Sequence, residues 1–134
     1  MILFIDTSNF DALEFVIVDG PTVKLFQTKL AFNENYKTVE FLEKFLKREK
    51  IRINDFKKII VCTGPGSFTG IRVGVSLAQA LGFALCVPVI AIPKSKVPQD
   101  IRKLPKVKGG KTLTLNYGAK PNITKTKRKK KNAG

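Results

Sequence analysis

The 134-residue chain is predicted to fold as an α/β domain, a mixed sheet of about five strands carrying two main helices. Three observations predict it. Short apolar runs at 2–5, 59–62 and 88–92 sit beside turn-forming residues, as strands buried on both faces do. Two β-rich runs, 13–18 and 23–27, flank Asp19-Gly20, the signal of a hairpin. Two longer stretches, 33–50 and 71–85, carry apolar residues at helical spacing.

Each element has its own warrant. Ile2-Leu3-Phe4-Ile5 stops at Asp6-Thr7-Ser8-Asn9, a cluster that favours turns. Leu13–Val18 and Val23–Gln27 follow as antiparallel partners across Asp19-Gly20-Pro21. The first helix, 33–50, opens near Asn33 or Asn35, either of which can cap it. Its stripe is Val39, Leu42, Phe45 and Leu46, and Glu40–Lys44 and Glu43–Lys47 are charge pairs in the favourable order. Ile59-Ile60-Val61-Cys62 is a further buried strand, and the second helix follows without a single acid. Gly74, Ala78 and Gly82, four apart, give that helix a small-residue face, beside a row of Leu77, Leu81 and Leu85. Val89–Ile92 closes a strand–helix–strand unit, which implies a parallel crossover. The order is β-β-β-α-β-α-β.

Composition excludes several functions. With no histidine there is no Ser-His-Asp or Cys-His dyad and no histidine-bearing metal site. Cys62 and Cys86 stand in apolar stretches and read as reduced, buried residues. No uninterrupted apolar run reaches the ~18 residues of a membrane span, and the start lacks a signal-peptide pattern. A cytoplasmic location is expected, with no membrane partner.

Net charge is +15, unevenly spread. Residues 1–93 hold 11 Lys/Arg against 9 Asp/Glu, whereas 94–134 hold 14 against Asp100 alone. The expected organisation is a folded body over 1–93 and a basic, mostly disordered extension over 94–134. Within the extension only 111–117 looks strand-like. Lys125, Lys127, Arg128, Lys129, Lys130 and Lys131 form a run suited to RNA phosphates, with a solvated tail as the alternative. Without interleaved aromatics, any RNA contact there is to the backbone and salt-sensitive.

The most specific feature is Gly64-Pro65-Gly66-Ser67-Phe68-Thr69-Gly70, followed by Arg72. A glycine-rich strand-to-helix turn can cradle an anion at the helix N-terminus, or it can serve packing alone. It is neither a P-loop nor a GxGxxG fingerprint, and Ser67 has no histidine to activate it. Arg72 can reach a phosphate, a carboxylate or the loop. Asp6 at a strand's carboxyl end could bind magnesium, but with no obvious second acid a turn-capping role is favoured.

Taken together, Ile2-Leu3-Phe4-Ile5-Asp6-Thr7-Ser8, a hairpin, a helix opening on Asn-Tyr, and Gly64–Gly70 running into Ile71-Arg72-Val73-Gly74 resemble the TsaB family. The likeness covers about 1–93, the family's N-terminal lobe, and Pro88–Ile92 matches its next strand. It implies an actin-like, ribonuclease-H-like fold of the ASKHA class. It implies a non-catalytic scaffold, a pseudoenzyme subunit, that pairs with TsaD to make tRNA threonylcarbamoyladenosine beside the anticodon. ATP or ADP and metal are then expected on partner subunits, with no cofactor of the chain's own. TsaE would dock on the pair, and without TsaD a homodimer could form instead. The family's second lobe is missing, which puts the TsaE contact in doubt, and Tyr36 stands where the family usually has histidine.

The two helices could supply half of a helical bundle, with Leu42, Phe45, Leu46, Gly74, Ala78 and Leu81 as interface candidates. The competing reading of those six is packing on the chain's own sheet. The tail has three candidate origins: a tRNA-binding arm, a dispensable extension, or a frame shift after residue 93. The alternative function is a free-standing RNA-binding protein acting through the lysine-rich arm.

Overall fold

A computed structural model of the chain describes residues 1–31, 33–107 and 110–113. One six-stranded sheet runs in the order β3-β2-β1-β4-β5-β6. The strands are β1 (Ile2–Asp6), β2 (Ala12–Asp19), β3 (Thr22–Lys29), β4 (Lys58–Cys62), β5 (Val89–Ile92) and β6 (Lys111–Leu113). β1, β4 and β5 are parallel, and β2, β3 and β6 run against their neighbours. The hairpin is the expected one. Asp19 pairs with Thr22 and Gly20, at φ +58°, takes the first turn position, where a side chain would be strained.

Two helices are present, α1 (Thr38–Glu49) and α2 (Phe68–Leu85). Both differ from the expected spans at their starts. Residues 35–37 form a 3-10 turn before α1. α2 begins three residues early, inside the glycine loop, because Ser67 caps it there.

Alternation divides the sheet into two faces. Leu3, Ile5, Leu13, Phe15, Ile17, Ile59, Val61, Val89 and Ala91 face the helices. Phe4, Val16, Val18, Ile60, Cys62 and Ile92 face the other way. α1 seals the β2–β3 end of the helix side. Phe45 stacks on Phe15 at 6.5 Å and meets Phe26 at 5.6 Å. Arg48 lies over the Phe26 and Phe45 rings, and its Nη2 donates to the Leu25 carbonyl. Glu49 accepts from Lys24 of β3 at 3.1 Å and from Arg48 at 2.8 Å, which lowers its pKa below the ordinary value.

The boundary expected at residue 93 does not hold among the described residues. Residues 94–107 form a strap of two 3-10 segments, 94–96 and Ile101–Lys106. Val97, Ile101, Leu104 and Val107 pack on the face that lacks helices, with Leu104 fully buried. β6 then adds a sixth strand beside β5. Composition concealed this because four apolar residues spaced among lysines and prolines carry no strong period. Of the strand-like stretch 111–117, residues 114–117 lie outside the described residues, as does the basic run Lys125, Lys127, Arg128, Lys129, Lys130 and Lys131.

Candidate functional site

The 64–70 loop is built against the end of β1. Ser8 lends its carbonyl to the Ser67 amide at 2.7 Å, and Thr7 Oγ1 donates to the Gly70 carbonyl at 2.5 Å. Ser67 Oγ accepts from the Gly70 amide at 3.1 Å, the N-cap bond that starts α2. Lys94 N donates to the Gly64 carbonyl at 2.8 Å, tying in the segment after β5. A Cβ on Gly70 would stand 2.1 Å from the Thr7 carbonyl oxygen, and one on Gly74 2.2 Å from Thr7 Oγ1. The loop and Asp6-Thr7-Ser8 are therefore one packed unit. The packing alternative accounts for Gly70 and Gly74 in full.

Asp6 is turn-capping, as favoured. Its Oδ1 accepts from the Ser8 amide at 2.9 Å and from Ser8 Oγ at 2.6 Å. Behind it, Cys62 is fully buried, and burial pushes its thiol pKa up, away from thiolate chemistry. Cys86, expected to be buried, is exposed: it holds the left-handed C-cap of α2 at φ +56°. Among the described residues no three His, Cys, Asp or Glu side chains stand together as a metal site.

The six interface candidates are placed differently from that expectation. Leu42, Phe45, Leu46 and Ala78 are buried in the chain's own core, Gly74 is buried against Thr7, and Leu81 is half-buried against the same core. The reason is geometric. The buried line of α2 is Gly70, Gly74, Ala78 and Gly82, one residue per turn, so its smallest side chains face the sheet and let the helix approach closely. The helix stripe with the cleanest period is the one the sheet uses.

What remains uncovered is the outer face of α2. The helix has a mean hydropathy of 1.4 over 18 residues, yet only 22% of it is buried. By length and composition it is the one helix among the described residues that could cross a membrane. Here it connects two neighbouring parallel strands and lies on the sheet they form. Phe68 is 73% exposed, Val39 of α1 54% and Phe83 46%. Val39, Phe68, Val73, Leu77 and Ala80 line a mostly apolar groove of about 620 Å3, whose polar lining is Thr69, Arg72 and Ser76. Of the partners open to it, Arg72 takes a residue of the loop, Phe68. Its guanidinium lies 5.2 Å from the Phe68 ring centre, at the rim of the groove. Sequence reasoning missed this face because an apolar residue on it has no partner to set a period. The signal available was the helix itself, which carries no acid and whose polar residues Thr69, Arg72 and Ser76 recur on one face.

Comparison with known proteins adds the family. Residues 33–97, which include the loop, match the family described as TsaD, tRNA N6-adenosine threonylcarbamoyltransferase. The chain is 33% identical over 91 residues to the tRNA threonylcarbamoyladenosine biosynthesis protein TsaB of Bacillus subtilis, covering 68% of this chain and 40% of that protein. It is 33% identical over 100 residues to TsaB of Buchnera aphidicola from Schizaphis graminum, covering 69% and 43%. The chain thus spans about two fifths of the length of these relatives. In structure it is similar to YeaZ from Pseudomonas aeruginosa, with a TM-score of 0.65 and 23% identity over 72% of this chain and 45% of that one. That likeness establishes the ASKHA-type fold of the lobe. By sequence the chain is related to the TsaB proteins over about two fifths of their length, and by structure it has their fold.

Proposed function

We propose that the lobe is a non-catalytic pairing subunit in tRNA threonylcarbamoyladenosine biosynthesis, docking a TsaD-type subunit on the outer face of α2. One observation carries the reading: an 18-residue apolar helix with 22% of its residues buried, flanked by an apolar groove. A helix of that composition is stable in water when a second surface covers it. The groove fits the ridge of another helix, and Val39 of α1 extends the contact beyond α2. The relatives' names supply the pathway, and the match to the TsaD family supports a partner built on the same plan. The reading fits a chain that has no histidine, in which Asp6 Oδ1 holds the Ser8 turn and Ser67 caps α2. ATP, metal and the transfer chemistry belong to the partners in this reading.

Co-purification of the tagged chain with the TsaD of the same genome tests it. The expected result is capture by the parent and loss of capture by Ala80→Arg, which places a charge in the groove. Equal capture by both would overturn the proposed face.

The charge of residues 94–134 favours a second reading, an RNA-binding protein acting through its arm. Neutralising Lys125, Lys127 and Arg128–Lys131 separates the two: it abolishes RNA affinity in that reading and leaves TsaD capture intact in the first.

A further inference from the structure

We propose that the strap side of the sheet is a contact surface for the phosphate backbone of a nucleic acid, formed by Lys94, Lys96, Lys103 and Lys106. The strap's apolar residues fix the direction of its cations. In a 3-10 segment residues i and i+3 share a face, and Ile101, Leu104 and Val107 turn theirs to the sheet. Lys103 and Lys106 therefore stand in one row, exposed, on an adjoining face. Lys94 and Lys96 are exposed where the strap leaves β5, and Lys94 Nζ meets only a neutral group, Asn9 Oδ1, at 3.1 Å.

The strap's only acid is Asp100, and Arg102 occupies both of its oxygens at 3.0 and 3.1 Å. Among the described residues no acid lies within ion-pair distance of Lys94, Lys96, Lys103 or Lys106. The helix side is the opposite case, since Glu34, Glu40 and Glu49 there each hold a cation. A solvated surface of no function mixes its signs as α1 does; a row of cations without acids is what a polyanion recognises. The strap offers no exposed aromatic for base stacking, so the contact is to backbone. This surface lies across the sheet from α2, so the lobe could hold a protein on one side and a nucleic acid on the other. The chemistry is shared by RNA and DNA. That the source is tRNA rests on the proposed pathway.

The test uses the full chain, titrated into an unmodified tRNA transcript and, separately, into duplex DNA of equal charge, from ~50 to ~200 mM salt. The strap variant is Lys96→Gln, Lys103→Gln and Lys106→Gln together, and a second variant neutralises Lys125, Lys127 and Arg128–Lys131. The strap variant should bind about tenfold more weakly, its log–log salt slope smaller by about 2 to 3. Its melting temperature should match the parent's, because all three positions are exposed. The tail variant should retain strap-dependent binding. With the strap variant impaired, stronger binding to tRNA assigns RNA as the source, and equal binding to both supports a backbone contact blind to sugar. A strap variant that binds as the parent does overturns the proposal, as does a parent that binds neither nucleic acid. TsaD capture by the strap variant should be unchanged, so failure here is separable from failure of the pairing reading.

Discussion

Thr7 joins two segments across 63 residues of chain. Its hydroxyl donates to the Gly70 carbonyl, and its own carbonyl sits where a Gly70 side chain would stand. Gly70→Ala must therefore move backbone against backbone. A loss of about 1–3 kcal/mol is expected in urea unfolding, with the midpoint falling and the slope unchanged. Leu42 and Phe68 make the complementary pair. Leu42 is 3% exposed, so Leu42→Ala should lose about 2–5 kcal/mol. Phe68, 73% exposed, covers little of its own fold, so Phe68→Ser should barely change stability.

Glu49 carries the pH dependence of the α1–β3 contact. Arg48 and Lys24 hold its pKa below the ordinary carboxylate value. A carboxylate lowered on folding stabilises the protein above its unfolded pKa, about 4.3, and that contribution goes as pH falls through the folded value. The melting difference between parent and Glu49→Gln should thus be larger at pH 6 than at pH 3. A difference that grows on acidification would contradict the assignment.

At the scale of elements, α2 has two faces with different occupants. The sheet takes Gly70, Gly74, Ala78 and Gly82, Leu77, Leu81 and Leu85 are half-buried at its flanks, and Phe68, Arg72, Ala80 and Phe83 are exposed. Ala80→Arg should leave the monomer's melting temperature within about a degree, since Ala80 is exposed, while removing the apolar character of the groove. The order of strands and helices was legible in the sequence because each strand buried on both faces announces itself as an apolar run. The hairpin was legible because Gly20 permits a turn that few residues adopt. Which face of α2 packs inward was not. The small-residue line and the leucine row both read as candidates for the sheet face, and the choice falls to Thr7 and Val89, which stand too close to Gly74 and Gly82 for anything larger than glycine. The strap was not legible because its energy comes from one fully buried leucine and three partial contacts.

At the scale of the molecule, the six-stranded sheet has two faces to cover and, among the described residues, two α-helices, both on one side. The strap covers the other, over Phe4, Val16, Val18, Ile60 and Ile92. Leu104→Asp should detach it, because an uncompensated carboxylate cannot replace a fully buried leucine. The expected result is a less stable chain that binds a hydrophobic dye and self-associates, and an unchanged melting curve would show the strap to be ornamental. With the sheet covered, the outer face of α2 remains open to a partner, and pairing there is the account's central claim. Light scattering on a size-exclusion column tests it most directly, with the chain at tens of micromolar alone and mixed with its TsaD. The account expects a one-to-one complex that forms with the parent and fails with Ala80→Arg. No complex, or one that Ala80→Arg leaves intact, would contradict it.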